Sequence, residues 1–202
     1  MRSTLQDIIV KYSHNDDNFS SIKIDEGHFM ELLEMYLNDK NSSTLRQNVM
    51  CSVAGMESNP NKLGYDGIDG ANEMKPKNVQ TTNPKVKKLD GRGNYTDMTF
   101  KRHHAFCDED AQIHIGGFVD GKHVFQVTVP YRAMKVHFEK QLTKRLPNGD
   151  QPTQYLRTMS FSLAELKKCD GVLLTYITQD LEDYRGHMTK PLYTYLTKLQ
   201  EG

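Results

Sequence analysis

In the stretch GYDGIDGANEMKPKN, residues 64–78, the side chains of Asp66, Glu73 and Lys75 surround an Asp-Gly pair at positions 69 and 70. Two carboxylates and an amine are what phosphodiester hydrolysis calls for. One or two carboxylates can hold a hard divalent cation whose other positions take waters and a phosphate oxygen. An amine beside that cation orients or deprotonates the attacking water, or balances phosphate charge, without becoming a ligand. The backbone carbonyl of Met74 faces the same space and offers a further oxygen.

The spacing places these groups. Asp-Gly between two short runs predicts a hairpin turn of type I′, whose central residues both take positive φ. With Asp69 and Gly70 at the centre, Ile68 faces Ala71, Gly67 faces Asn72 and Asp66 faces Glu73. Opposed residues project from one side of the ribbon, and alternation adds Lys75 to that side. Like charges directly opposite each other are unfavourable, so something positive is expected between the acids. Asp69 itself is accounted for by turn chemistry. Pro76 cannot donate to a ladder, so the strand is expected to be an edge or to bend there.

A second set of chemistry-bearing residues follows. Residues 74–104 hold eight bases, Lys75, Lys77, Lys85, Lys87, Lys88, Arg92, Lys101 and Arg102, against Asp90 and Asp97, whereas residues 1–43 hold eight acids and four bases. A concentrated basic segment suits a phosphate backbone. Within GRGNYTDMTFKRHH, the residues Arg92, Asn94, Tyr95, Thr96, Lys101 and Arg102 combine phosphate-binding bases, hydrogen-bonding side chains and an aromatic. His103, His104, Cys107 and His114 match no zinc-site spacing, and Cys107 lacks the orienting third residue of a His-activated nucleophile.

The elements that must carry these residues read as an α+β order. Asp25 caps a helix with Phe29, Met30, Leu32, Leu33, Tyr36 and Leu37 on one face; Glu34 borders that face and Glu31 points away. A shorter helix is expected from Ser43 to about Val53. After the first hairpin, residues 80–110 read as irregular. A second hairpin turns at Asp120-Gly121, with Ile113, Ile115, Val119, Val124, Phe125, Val127 and Val129 marking buried strands. RAMKVHFEKQLTKRL reads as a basic amphipathic helix, and LPNGDQPTQ breaks it. Ser162 and Glu165 form a capping box, GVLLTYI a central strand and KPLYTYLTKLQ a terminal helix.

The bulk composition bounds the rest. The chain of 202 residues, 37% hydrophobic and 26% charged with zero net charge, is expected to form a single domain over 1–202, with a core at about 25–180. No apolar run approaches a membrane span, and the first residues lack a signal core, which predicts a protein that is cytoplasmic and not secreted. Three scattered cysteines, Cys51, Cys107 and Cys169, fit reduced thiols.

Asp66 followed by Glu73-Met74-Lys75 resembles the D…ExK signature of the PD-(D/E)xK nuclease superfamily, with an Asp-to-Glu interval similar to that of its MutH-like members. The resemblance implies a restriction-endonuclease-like core, a mixed or antiparallel sheet flanked by helices, in the order helix, three or four antiparallel strands, helix, strand. It implies Asp66 and Glu73 as Mg²⁺ ligands (Mn²⁺ substituting), Lys75 as the catalytic lysine and Glu34 as an added acid from the first helix. The activity implied is a Mg²⁺-dependent DNA endonuclease of restriction or homing type. DNA contacts are then expected from Lys77, Lys85, Lys87, Lys88, Arg92, Asn94, Tyr95, Lys101 and Arg102, with Lys135, Lys140, Lys144 and Arg145. A homodimer would match antiparallel DNA strands. Two alternatives stand beside it: a non-catalytic nucleic-acid-binding protein, and an HNH-type metal nuclease using His103 and His104.

Overall fold

A computed structural model describes residues 36–38, 43–59, 64–82 and 87–201. The helix expected from Asp25 falls outside them except for its last residues, 36–38, which are helical. Helix α1 (Ser43–Val53) forms where expected and buries Met50 and Cys51.

The main sheet is built from β1 (Asn72–Val79), β3 (Gln112–Val119), β4 (Lys122–Pro130) and β6 (Leu173–Ile177), in spatial order β1-β3-β4-β6. β3 and β4 form the expected hairpin. Asp120 (φ 48°) and Gly121 (φ 82°) both take the left-handed conformation that a type I′ turn requires. β1 runs parallel to β3, so the chain must cross over between them, which it does through α2 (Phe100–Asp108). β6 lies at the sheet edge, with Leu173 64% exposed. The central position expected of GVLLTYI is therefore corrected: its apolar run packs on one side only and terminates the sheet.

Residues 80–110 are also more regular than their composition suggests. They contain β2 (Gly93–Met98) and α2; β2 pairs antiparallel with β5 (Leu156–Phe161) in a separate two-stranded ribbon. The pairing partner lies some sixty residues downstream, so no local hairpin signal announces it. Thr99 caps α2 by accepting from the Arg102 N–H, and Asp150 accepts from the Phe100 and Lys101 N–H groups. The first-turn amides of α2 are thereby satisfied by a loop fifty residues away. The chain continues through α3 (Lys135–Arg145), the short α4 (Leu163–Leu166) with its Ser162/Glu165 capping box, and α5 (Lys190–Glu201). Among the described residues no helix is long and apolar enough to cross a membrane.

The two faces of the sheet differ. Ile113, Ile115, Val127 and Val129 belong to the large core that also contains Tyr95, Phe106, Tyr131, Phe138 and Leu142. The opposite face packs on α1 through Met50, Cys51, Met74 and Phe118. Gly116 and Gly117 let both layers approach. A Cβ on Gly116 would lie 2.5 Å from the Met50 sulfur, and one on Gly117 would lie 2.1 Å from the Phe125 ring.

Candidate active site at the edge of β1

β1 is an edge strand, as Pro76 predicts, with Asp66 along its free edge and Glu73 on one of its faces. The chain reverses just before it. The Asp66 and Gly67 N–H groups both donate to the Asn72 carbonyl (2.9 and 3.3 Å), and Gly67 bridges Asn72 in the expected register. The reversal is not the type I′ turn, since only Gly70 (φ 99°) has positive φ and Asp69 does not. The antiparallel ladder is one bridge long because β1 takes its main pairing from β3 instead. Beyond the turn, the Met74 N–H donates to Asp66 Oδ2 at 2.7 Å. In a strand the N–H and C=O of one residue point to the same edge, so the Met74 carbonyl also faces the Asp66 side. The Met74 side chain points elsewhere, into the small core under α1.

Glu73 and Lys75 project from the other face of β1. The Lys75 ammonium donates to Glu73 Oε2 at 2.6 Å, and Arg102 Nη2 lies 3.7 Å from Glu73 Oε1. Glu73 is only 5% exposed, so each of its carboxylate oxygens is served by a cation in a nearly dry setting. The Lys75 ammonium also sits 4.2 Å above the Tyr95 ring, which fixes its position. The Asp66 carboxyl is pushed above the usual carboxylate range by burial, with the Glu73 charge adding to the rise. The Met74 N–H bond, Lys75 and Arg102 act in the opposite direction. A positive species placed between the two acids would relieve this cost.

These groups fit a divalent cation of the Mg²⁺ type by the chemistry of the donor set: two carboxylates and a carbonyl, all hard oxygen ligands. Among the described residues no cluster of three or more His, Cys, Asp or Glu is placed to hold a metal. Mg²⁺ is commonly held by one or two carboxylates plus waters and substrate oxygens, so two acids are a sufficient protein share. Glu34 lies outside the described residues. No family model matches the chain, and no curated protein matches it in sequence.

The expected DNA contacts divide. Lys87, Lys88, Arg92, Asn94 and Lys101 are exposed, as are Lys135, Lys140, Lys144 and Arg145 on α3, whereas Lys85 lies outside the described residues. Lys77 is held by Asp90 at 2.7 Å, and Asp90 also pairs with Arg92 at 2.5 Å. Burial resists ionisation of Asp90, but the Lys77 hydrogen bond and charge outweigh it, and its carboxyl stays below the usual range. Tyr95 corrects the sequence expectation. It is 2% exposed, and its ring packs against Phe106, Tyr131 and Phe138, so it offers no face to a base. Alternation along β2 turns it inward while Asn94 and Thr96 turn outward. His103 is fully buried with Nδ1 on the Tyr131 hydroxyl at 2.8 Å, while His104 is exposed, so the adjacent histidines do not converge on one site.

One functional neighbourhood carried no signal in the sequence. Asn72 accepts from His114 Nε2 at 2.9 Å through Oδ1 and donates to the Asp69 carbonyl at 3.0 Å through Nδ2. His114 Nδ1 meets the Thr128 hydroxyl at 2.9 Å, which meets Thr175 at 2.6 Å. This chain, buried as far as Thr128, ties the turn carrying Asp66 to all four strands of the sheet.

Proposed function

We propose that the protein is a Mg²⁺-dependent DNA endonuclease, hydrolysing phosphodiester bonds at the edge of β1, with Mn²⁺ able to replace Mg²⁺. The observation that carries this reading is the convergence of Glu73, Lys75 and Arg102 beside Asp66, next to a strand edge whose carbonyl at Met74 faces the same way. The order α1, short antiparallel bridges at 58–67 and 67–72, β1, β2, α2, β3 is similar to the helix, strands, helix, strand order of the PD-(D/E)xK superfamily. The exposed bases of residues 87–102 and α3 suit a DNA backbone.

Asp66, Glu73 and the Met74 carbonyl would hold the cation. When bound, it would supply a Lewis acid for the phosphate and lower the pKa of a water. Lys75 has three donors, and one serves Glu73. The others are available to orient the attacking water, with the ammonium held in place by the Tyr95 ring. Arg102, half-buried beside Glu73, would turn its guanidinium charge toward the phosphate. Site-specific double-strand cleavage by a two-fold homodimer completes the proposal.

Incubation of plasmid and phage DNA with the protein in Mg²⁺ or EDTA tests it. Cleavage is expected in Mg²⁺ alone, as discrete bands, and Lys75→Ala should bind DNA without cutting. Undiminished cleavage by Lys75→Ala, or cleavage in EDTA, would overturn it.

A further inference from the structure

The β2–β5 ribbon presents a face that the folding of the chain does not use. Tyr95, Met159 and Phe161 turn into the core and the alternation leaves Asn94, Thr96, Thr158 and Ser160 exposed; the left-handed Asp97 (φ 54°) then breaks the alternation, and Met98 turns inward as well. The register puts Asn94 opposite Ser160 and Thr96 opposite Thr158, so four uncharged hydrogen-bonding side chains form one outward block. Among the described residues none of these four side chains has a hydrogen-bond partner.

Both edges of the ribbon are held. On the β5 side, Gln141 accepts from the Ser160 N–H at 3.1 Å and donates to its carbonyl at 2.7 Å; His137 meets that carbonyl at 2.8 Å. On the β2 side, Arg102 Nη1 donates to the Thr96 carbonyl at 3.0 Å while its Nη2 lies 3.7 Å from Glu73. One arginine side chain therefore spans the ribbon and the candidate active site. Lys101 and Arg157, the latter next to Thr158 on β5, are exposed, and Arg145 and Arg157 line a cleft of about 370 Å³ with Thr153, Gln154 and Tyr155. Of the acids nearby, Asp150 is committed to the amides of α2, and Asp97 stands exposed on β2 beside Thr96.

Resting on the nuclease reading, we infer that this ribbon face is the sequence-reading element, lying in the major groove of duplex DNA with Arg145 and Arg157 on the flanking phosphates. A two-stranded ribbon fits the B-form major groove, about 12 Å wide, whereas the deep, narrow major groove of A-form RNA excludes it. Residues two apart on a strand are separated by about 7 Å, close to two base-pair steps, so the block spans about three base pairs per chain. Asn94 has the bidentate geometry for adenine, and the Thr methyl groups suit contact with thymine. The surface therefore selects an A·T pair at the Asn94 position.

The test is selection from a randomised duplex library by the full chain in EDTA, where binding is read without cleavage. The wild type should enrich a motif containing adenine. Asn94→Ala should lose the preference at that position and bind the enriched duplex roughly 10- to 100-fold more weakly. Thr158→Ala and Ser160→Ala should relax adjacent positions, and Arg157→Ala should weaken all sequences alike and lower the salt slope by about one. Because the four side chains are exposed, a thermal melt matching wild type is expected and separates loss of reading from loss of fold. Recovery of no motif, an unchanged motif and affinity in Asn94→Ala and Thr158→Ala, or equal binding of duplex RNA would overturn the inference. A motif read through the ribbon by a protein that never cuts in Mg²⁺ would sink the nuclease reading alone. Cleavage by the ribbon variants at wild-type positions would sink the ribbon alone.

Discussion

The two faces of β1 are one residue out of phase, yet they solve opposite problems. From one face project Asn72 and Met74, joined to a neutral hydrogen-bond network through the buried His114 and Thr128 to Thr175, and to the α1 core through Met50 and Phe118. From the other project Glu73, Lys75 and Lys77, charged and paired with Arg102 and Asp90. The rest of the sheet reverses the assignment. The face that carries the charges on β1 is the strongly apolar one on β3 and β4, with Ile113, Ile115, Val127 and Val129. On that face the charges gather on β1 at one edge of the sheet, where Glu73 is nearly dry and the apolar neighbours keep the dielectric low. The network on the other face holds the strand without adding charge, while Glu73 itself is held by the two cations.

This contrast predicts that the charged face controls chemistry and the neutral face controls stability. The largest effect is expected for Glu73→Gln, which should reduce Mg²⁺-dependent cleavage by roughly a thousandfold or more, about 4 kcal/mol of barrier, in single-turnover assays. Its unfolding free energy should change by much less. A stability loss as large as the rate loss would erase the distinction between the faces.

Next comes pH. Burial lowers both His114 and His123 from 6.5 to about 4, and His123 is stacked between Phe118 and Tyr176 at 4.6 Å on either side. The unfolded chain then binds protons that the folded chain refuses. Stability is fully present above about pH 6.5 and falls as pH drops towards 4, by up to roughly 3 kcal/mol per histidine. Urea midpoints measured across that window should show the slope, and His123→Phe, which keeps the stack, should flatten it by about half. An unaltered slope in that variant would remove His123 from the account.

Asn72→Ala leaves the His114 Nε2 hydrogen bond unmade and frees the Asp69 carbonyl, at an expected cost of about 1–3 kcal/mol in denaturant unfolding. Smallest is Lys77→Ala. Asp90 keeps Arg92 as a partner, so the loss should be under about 1 kcal/mol. A Lys77 effect exceeding that of Asn72 would invert the comparison.

The elements legible in the sequence were those with local causes. The Asp120-Gly121 hairpin follows from the φ preferences of its turn pair, α1 and α3 from helical periodicity, α4 from a capping box, and the edge position of β1 from Pro76. The Gly67–Asn72 register and the Glu73–Lys75 contact follow from alternation along a strand, which holds whichever partner that strand takes. Tertiary structure decided what depends on distant segments. β2 exists because β5 pairs with it, the inward turn of Tyr95 follows from that pairing, and the parallel seating of β1 on β3 replaced the antiparallel ladder of the local turn. Arg102 reaches Glu73 from a separate helix, α2, and Asn72 meets His114 only across that same parallel seam. Local propensity fixes which way neighbouring side chains point, whereas burial of apolar area, summed over the whole chain, decides which strands meet.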